Sequence, residues 1–242
     1  MEGRRVMWRS GFACLLLMLI GEVAGLSGCS RGGADADQLA LLLGVRPGMV
    51  VADVGAGHGE MTVVMARLVG PRGRVYSTDI DPHALYKIRA AIKSAGLDNV
   101  TVLRATANNT KLPENCCDVI FLSRVYHHLT DPVDTDRSLC RALRPGGSLA
   151  VLDFRPSLLL LPWKPKGLPA NREGHGIDPV TVRKEVTDSG LGFMRMVDPW
   201  PGSWFISTYC LLFEKPPQSS SPARSAAPAA ENSAVRPPMT GR

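Results

Sequence analysis

The residues best able to do chemistry stand in four short groups. Asp53-Val-Gly55-Ala-Gly57-His-Gly59 joins an apolar run to an amphipathic one. Glycines at such a junction let a ligand touch the backbone and aim the N–H groups of the following helix at it. Asp79 comes twenty residues after Gly59 and is followed by Ile80. At the C-terminal end of a second predicted strand, its carboxylate is placed to accept both hydroxyls of a ribose. Tyr126, His127 and His128 are consecutive and follow Ser123 at the end of a further apolar run, where an imidazole is a candidate general base. His175 lies in the Gly-rich segment 173–178, and Asp153 and Arg155 close yet another apolar run, placed to line an acceptor pocket.

These groups need a scaffold that gathers them at one edge, and the hydropathy pattern provides it. Met49–Val54 is apolar but for Asp53, as suits a strand buried on both faces, and Met61, Val64, Met65 and Leu68 then recur at helical spacing. Arg74–Asp79 reads as a second strand, and Asp81-Pro82 opens a helix carrying Leu85, Ile88 and Ile92 that ends at Gly96. Val100–Leu103 and Cys117–Ser123 are further strands, followed by a helix over 131–143, the turn Pro145-Gly-Gly147 and a strand over Ser148–Phe154. Repeated strand–helix–strand units imply a parallel sheet with helices on both faces. A last helix over 179–189 precedes two strands, 193–197 and 205–213, whose Pro-Trp-Pro-Gly turn predicts an antiparallel hairpin at the sheet edge.

The glycine spacing narrows the ligand. A dinucleotide fingerprint wants its third glycine at position 60, but glycine comes one residue early and Glu60 occupies that place. A carboxylate there would face a pyrophosphate, which disfavours an NAD(P) enzyme and favours an adenosyl group without one. At this point the chain resembles the class I S-adenosylmethionine-dependent methyltransferases over about residues 40–155. Val51–Gly59 matches the first motif of that family and Val75–Asp79 the second. Leu112-Pro113 through Ile120 resembles the segment leading into strand four, Tyr126-His-His-Leu129 the motif after it, and Leu143-Arg-Pro-Gly-Gly147 the turn before strand five. The resemblance implies an α/β, doubly wound, mostly parallel seven-stranded Rossmann-like sheet and S-adenosyl-L-methionine as cofactor. Asp53, Gly55, Gly57, Gly59, Asp79, Ile80, Thr106, Asn108 and Ser123 would line its site, with Asp79 on the ribose and His127, His128 or Tyr126 on the acceptor side. One departure stands out. Many members carry an Asp after strand three that contacts adenine, whereas here the stretch is Arg104-Ala-Thr106-Ala-Asn108-Asn109, leaving Thr106 or Asn108 to bond the adenine.

The remaining features bound the function. The formal charge is +6, of which +3 falls on residues 29–215, no footprint for nucleic acid, and the chain has only four Tyr, four Trp and six Phe. A small-molecule acceptor is therefore expected, with a non-catalytic adenosyl-ligand-binding domain as the alternative. Cys116 and Cys117 are adjacent while Cys140 and Cys210 stand alone, so cysteine spacing offers no metal site. Residues 1–28 run basic, apolar, small, in the order of a signal peptide or membrane-targeting segment, and Leu26-Ser-Gly-Cys29 resembles a bacterial lipobox, implying an exported, membrane-associated lipoprotein anchored at Cys29; the alternative is a cytoplasmic chain whose residues 1–28 are no working signal. Residues 216–242 hold six Pro, five Ser and six Ala, the composition of a disordered tail. The domain is thus expected over 29–215, with 156–178 as a lid or membrane-facing loop; nothing in the sequence fixes the number of subunits.

Overall fold

A computed structural model describes residues 31–156, 167–169, 175–203 and 206–217. The signal segment with Cys29, most of the expected lid and nearly all of the Pro/Ser/Ala tail lie outside the described residues. Seven strands form one sheet: β1 (Val50–Val54), β2 (Arg74–Asp79), β3 (Val100–Arg104), β4 (Cys117–Ser123), β5 (Leu143–Phe154), β6 (Gly192–Val197) and β7 (Thr208–Glu214). Their order is β3-β2-β1-β4-β5-β7-β6. The first five run parallel, while β7 is antiparallel to both β5 and β6. The expected architecture is met, hairpin included, with β7 inserted against β5 so that β6 takes the edge.

Strand alternation explains why both faces are covered. Ala52, Ile120, Leu122, Leu149, Val151, Leu211 and Phe213 point into one buried cluster, and Val51, Val119, Phe121, Ala150, Leu152, Cys210 and Leu212 into the other. On the first face lie α4 (Pro132–Ala142) and α5 (Pro179–Asp188), contributing Leu139, Val182 and Val186. On the second lie α1 (Arg31–Leu42) and α2 (Glu60–Val69), contributing Leu39, Met65 and Val69; α3 (Pro82–Ser94) packs beside α2. Three of these helices start with Asp-Pro. Proline fixes the first helical φ, and the side chains of Asp81, Asp131 and Asp178 accept the N–H groups of His83, Asp134 and Val180 at 2.9, 3.2 and 2.8 Å.

Two differences from the sequence reading matter. Strand β5 begins at Leu143 rather than Ser148, because Leu143 pairs with Cys117 before the register shifts and Ser148 takes up pairing with Val119. Residues 144–147 are what that shift leaves over. The second difference is α1, for which the sequence predicts no element: Arg31-Gly-Gly carries little helical propensity, and only Ala36, Leu39 and Ala40 form its buried stripe. Its anchor is polar. Buried Asp35 accepts the Trp200 indole N–H at 2.7 Å and pairs with the Arg124 guanidinium at 2.8 Å, joining α1 to the β6–β7 connection and to the end of β4.

Asp35→Ala should therefore destabilise the chain by about 2–4 kcal/mol, since it leaves a buried indole N–H and a partly buried guanidinium without their acceptor. Urea unfolding measures it; an unchanged midpoint would show that α1 is held by its apolar stripe alone.

Candidate active site

The order in which strands are added to the sheet reverses between β1 and β4, and at such a point the loops leaving adjacent strands diverge and open a crevice at the C-terminal edge. A cavity of about 300 Å³ lies there. Its walls come from the ends of four strands: Gly55 after β1, Asp79 and Ile80 at the end of β2, Ala105–Ala107 after β3, and Arg124, Val125, His128 and Leu129 after β4.

The turn after β1 keeps backbone where side chains would otherwise stand. Gly55 has φ +75°, and a Cβ on it would come within 2.5 Å of the Val125 side chain. The N–H groups of Gly55 and Ala56 both bond the Thr78 carbonyl, at 2.8 and 3.0 Å, which fastens the turn to β2. Gly57 then donates its N–H to Asp79 Oδ2 at 3.0 Å, while the N–H of Asp81 reaches Asp79 Oδ1 at 3.0 Å. Each carboxylate oxygen keeps a second lone pair, so Asp79 stands at the wall as a fixed acceptor for two hydroxyls. Gly59 lies one step further on. It caps α2 and rests against the Ile88 backbone, and so sets helix packing rather than the cavity wall.

Asp53 is also placed differently from its expected role at the ligand. It is buried beneath the turn and accepts Thr62 Oγ1 at 2.6 Å, and that hydroxyl lies 2.9 Å from Ser77 Oγ. Burial drives the Asp53 carboxyl up to about 7; the Thr62 hydrogen bond opposes the rise and the Asp79 charge adds to it. Among the adenine candidates, Thr106 lines the cavity and donates its hydroxyl to Asn108 Oδ1 at 3.0 Å, so Asn108 acts through Thr106. Ser123 sits half-buried just before the wall, 3.4 Å from the Arg124 guanidinium. Arg124 itself has φ +56°, a conformation costly for a residue with a Cβ, and its N–H bonds the Leu152 carbonyl at 2.7 Å. Together with the Asp35 pair, this turns the chain sharply out of β4 into the cavity wall.

Beyond that turn, residues 126–128 form one 3₁₀ turn, which sends consecutive side chains in different directions. His128 faces the cavity. His127 is buried: its N–H and ring Nδ1 meet Asp153 Oδ2 and Oδ1 at 3.1 and 2.8 Å, and its Nε2 lies 3.1 Å from His175 Nε2. Tyr126 requires a correction. Its hydroxyl points into the core, donating to Asp136 Oδ2 at 2.6 Å with Glu185 Oε2 3.1 Å away, and burial followed by those two carboxylates pushes its ionisation far up. It holds α4 and α5 against the sheet and does not meet a ligand.

His175 arrives at this cluster because Gly176 packs directly on the end of β5, where a Cβ would come within 2.7 Å of the Arg155 carbonyl. The three imidazoles are mutually edge-on, with centroids 4.1, 4.9 and 5.8 Å apart. Burial, then the neighbouring His127 and His175, lowers His128 to about 4; burial and His127 lower His175 as well, so both rings are neutral at pH 7. Asp153 is fully buried and serves His127, whereas Arg155 leaves the site to pair with Asp198 at 2.7 Å. Sequence separation hid this arrangement: Asp153 and His175 stand 26 and 48 residues from His127. Likewise Thr110, Thr130 and Thr135 line the cavity without belonging to any recognisable motif.

Comparison with known proteins accords with this geometry. Residues 46–175 match the family model described as a methyltransferase domain. The ubiquinone/menaquinone biosynthesis C-methyltransferase UbiE of Vibrio cholerae is 36% identical over 117 residues, which is 48% of this chain and 45% of that protein. The chain thus spans less than half the length of such curated relatives. Among solved structures, a SAM-dependent methyltransferase from Aquifex aeolicus superposes with a TM-score of 0.62 at 25% identity, covering 75% of this chain and 89% of its own. The [4+2]-cyclase SpnF superposes equally well, with a TM-score of 0.62, at 15% identity over 84% of this chain and 93% of its own, a likeness of fold alone.

The buried carboxyl of Asp53 generates a test with a definite sign. Its ordinary value is 3.8 and its folded value about 7, so between those limits the folded chain holds a proton that the unfolded chain lacks, and stability falls as pH rises. Asp53→Asn removes that loss. Its stability relative to the unaltered chain should grow from pH 5 to pH 8 by on the order of 2 kcal/mol in denaturant titrations. A difference that stays flat with pH would mean that Asp53 is ionised throughout.

Proposed function

The chain belongs to the methyltransferase domain family, and on that premise we propose that it transfers the methyl group of S-adenosyl-L-methionine to a small-molecule acceptor. The observation that carries the reading is Asp79: a carboxylate fixed from behind by two backbone N–H groups, at the wall of a cavity at the sheet's switch point. Its free lone pairs suit the two ribose hydroxyls. The cavity is of small-ligand size, and its lining of Val54, Ile80, Ala105, Ala107, Val125 and Leu129 suits an adenine ring, with the Thr106 hydroxyl at its edge. When bound, S-adenosyl-L-methionine supplies a sulfonium methyl that an acceptor atom displaces in line.

The work left to the protein is positioning and exclusion of water. A sulfonium is cationic, and the Arg124 guanidinium in the wall is paired with Asp35, so its charge is answered before the ligand arrives. Glu60, the first residue of α2, would confront a pyrophosphate, which disfavours NAD(P) in the same crevice. His128 is the imidazole that reaches the cavity, and the side it occupies is the acceptor side, opposite Asp79 and the β2 end. Its neutrality at pH 7 avoids a second positive charge beside the sulfonium. The similarity to UbiE proteins supports a small organic acceptor.

Binding of S-adenosylhomocysteine tests this reading. Asp79→Ala should weaken it about ten- to a hundredfold by calorimetry, the effect of losing charge-assisted hydrogen bonds. Equal binding by the variant would remove Asp79 from the site.

We further propose that the chain is exported and anchored through a lipid on Cys29. Support comes from the basic, apolar, small order of residues 1–28 and from Leu26-Ser-Gly-Cys29. Among the described residues no helix is long and apolar enough to cross a membrane. Cys29→Ser should then leave a longer precursor and abolish acyl-chain labelling; a wild-type chain that keeps residues 1–28 and labels with no acyl chain would contradict the anchor.

A further inference from the structure

Three imidazoles from two separate segments converge beside the cavity. One ring nitrogen each of His127, His128 and His175 lies within 4.8 Å of the other two. From this geometry we propose that His127, His128 and His175 bind a divalent transition metal ion of the zinc class, at a site the methyl-transfer reading neither needs nor predicts.

One pair of ring nitrogens already stands near the spacing such an ion imposes. Nitrogens on a tetrahedral zinc sit about 2.0–2.1 Å from the metal, which sets them roughly 3.3–3.4 Å apart. His127 Nε2 and His175 Nε2 are already 3.1 Å apart. A hydrogen bond between two imidazoles would account for that pair alone; it leaves the convergence of His128 unexplained. Behind the cluster, Asp153 takes the Nδ1 side of His127 at 2.8 Å. That carboxylate–imidazole pairing orients the ring and directs Nε2 toward the cluster, as metal-binding histidines ordinarily require. The same carboxylate is fully buried and held by the N–H groups of His127 and Phe154, so it brings a fixed negative charge close to where the cation would sit. Phe154 flanks His127 and His175 edge-on at 4.6 and 5.4 Å, an apolar side that keeps solvent from the ligands.

Three nitrogen ligands complete three of the four positions of a tetrahedral ion, the pattern of sites that keep one position for water or substrate. Because His128 also lines the cavity, that fourth position would border the acceptor side.

The test is a zinc titration of the full chain after removal of bound metal, followed by calorimetry, with S-adenosylhomocysteine binding measured on the same samples. One zinc should bind per chain through the cluster, and His128→Ala and His175→Asn should each weaken it at least about tenfold, with Asp153→Asn weakening it about ten- to a hundredfold. His83→Ala, on an exposed position, should change nothing. Near-ultraviolet dichroism checks that each variant is folded; if His128→Ala fails that check, His175→Asn, outside the cavity lining, decides alone. No zinc uptake, or uptake indifferent to the folded variants, would overturn the metal site while S-adenosylhomocysteine binding persists. Zinc binding without S-adenosylhomocysteine binding would instead overturn the methyl-transfer reading and leave the metal site standing.

Discussion

Two hydrogen bonds to one carboxylate join the parts from which the cavity is made. Asp79 ends β2; through the N–H of Gly57 it holds the turn that leaves β1, and through the N–H of Asp81 it fixes the start of α3. Together with the bonds from Gly55 and Ala56 to the Thr78 carbonyl, that tie fixes the glycine turn against β2 as one wall of the crevice between β1 and β4. The bonds also orient the carboxylate, because lone pairs committed to the backbone leave the others aimed outward. A residue that builds the site in this way is also the one best placed to recognise the ligand.

Buried polar chains support that tie from beneath and from the side. Below the turn, Asp53, Thr62 and Ser77 link β1, α2 and β2 through one hydroxyl relay. Beside it, Asp35 couples α1 to Trp200 and Arg124, so that a helix at one end of the described chain braces the strained residue at the cavity wall. Such networks add little net stability when complete but are costly to leave half-made, which favours one arrangement of the turn over its alternatives.

How much of this was legible follows from the range of each signal. Strands β1 to β4, the glycine turn and Asp79 are readable because their determinants lie within a few residues: an apolar run, glycines at fixed spacing, a carboxylate at the strand end. Helix α1 was not readable, since its stabilising contacts come from Trp200 and Arg124, far along the chain. Tyr126 shows the limit of adjacency: it stands beside two histidines in sequence, yet a 3₁₀ turn rotates successive side chains by about 120°, and Tyr126 is turned into the core. The histidine cluster has no signature in the sequence because His175 reaches His127 and His128 only through the packing of Gly176 on β5.

The account stands on where an adenosyl ligand lies, and a crystal structure of the full chain with S-adenosylhomocysteine measures that directly. It should show both ribose hydroxyls on the Asp79 carboxylate, the adenine against Ala105–Ala107, and the sulfur turned toward His128. A ligand bound with its ribose away from Asp79, or with its sulfur facing β3 instead of the histidines, would contradict the assignment of cofactor and acceptor sides on which everything else rests.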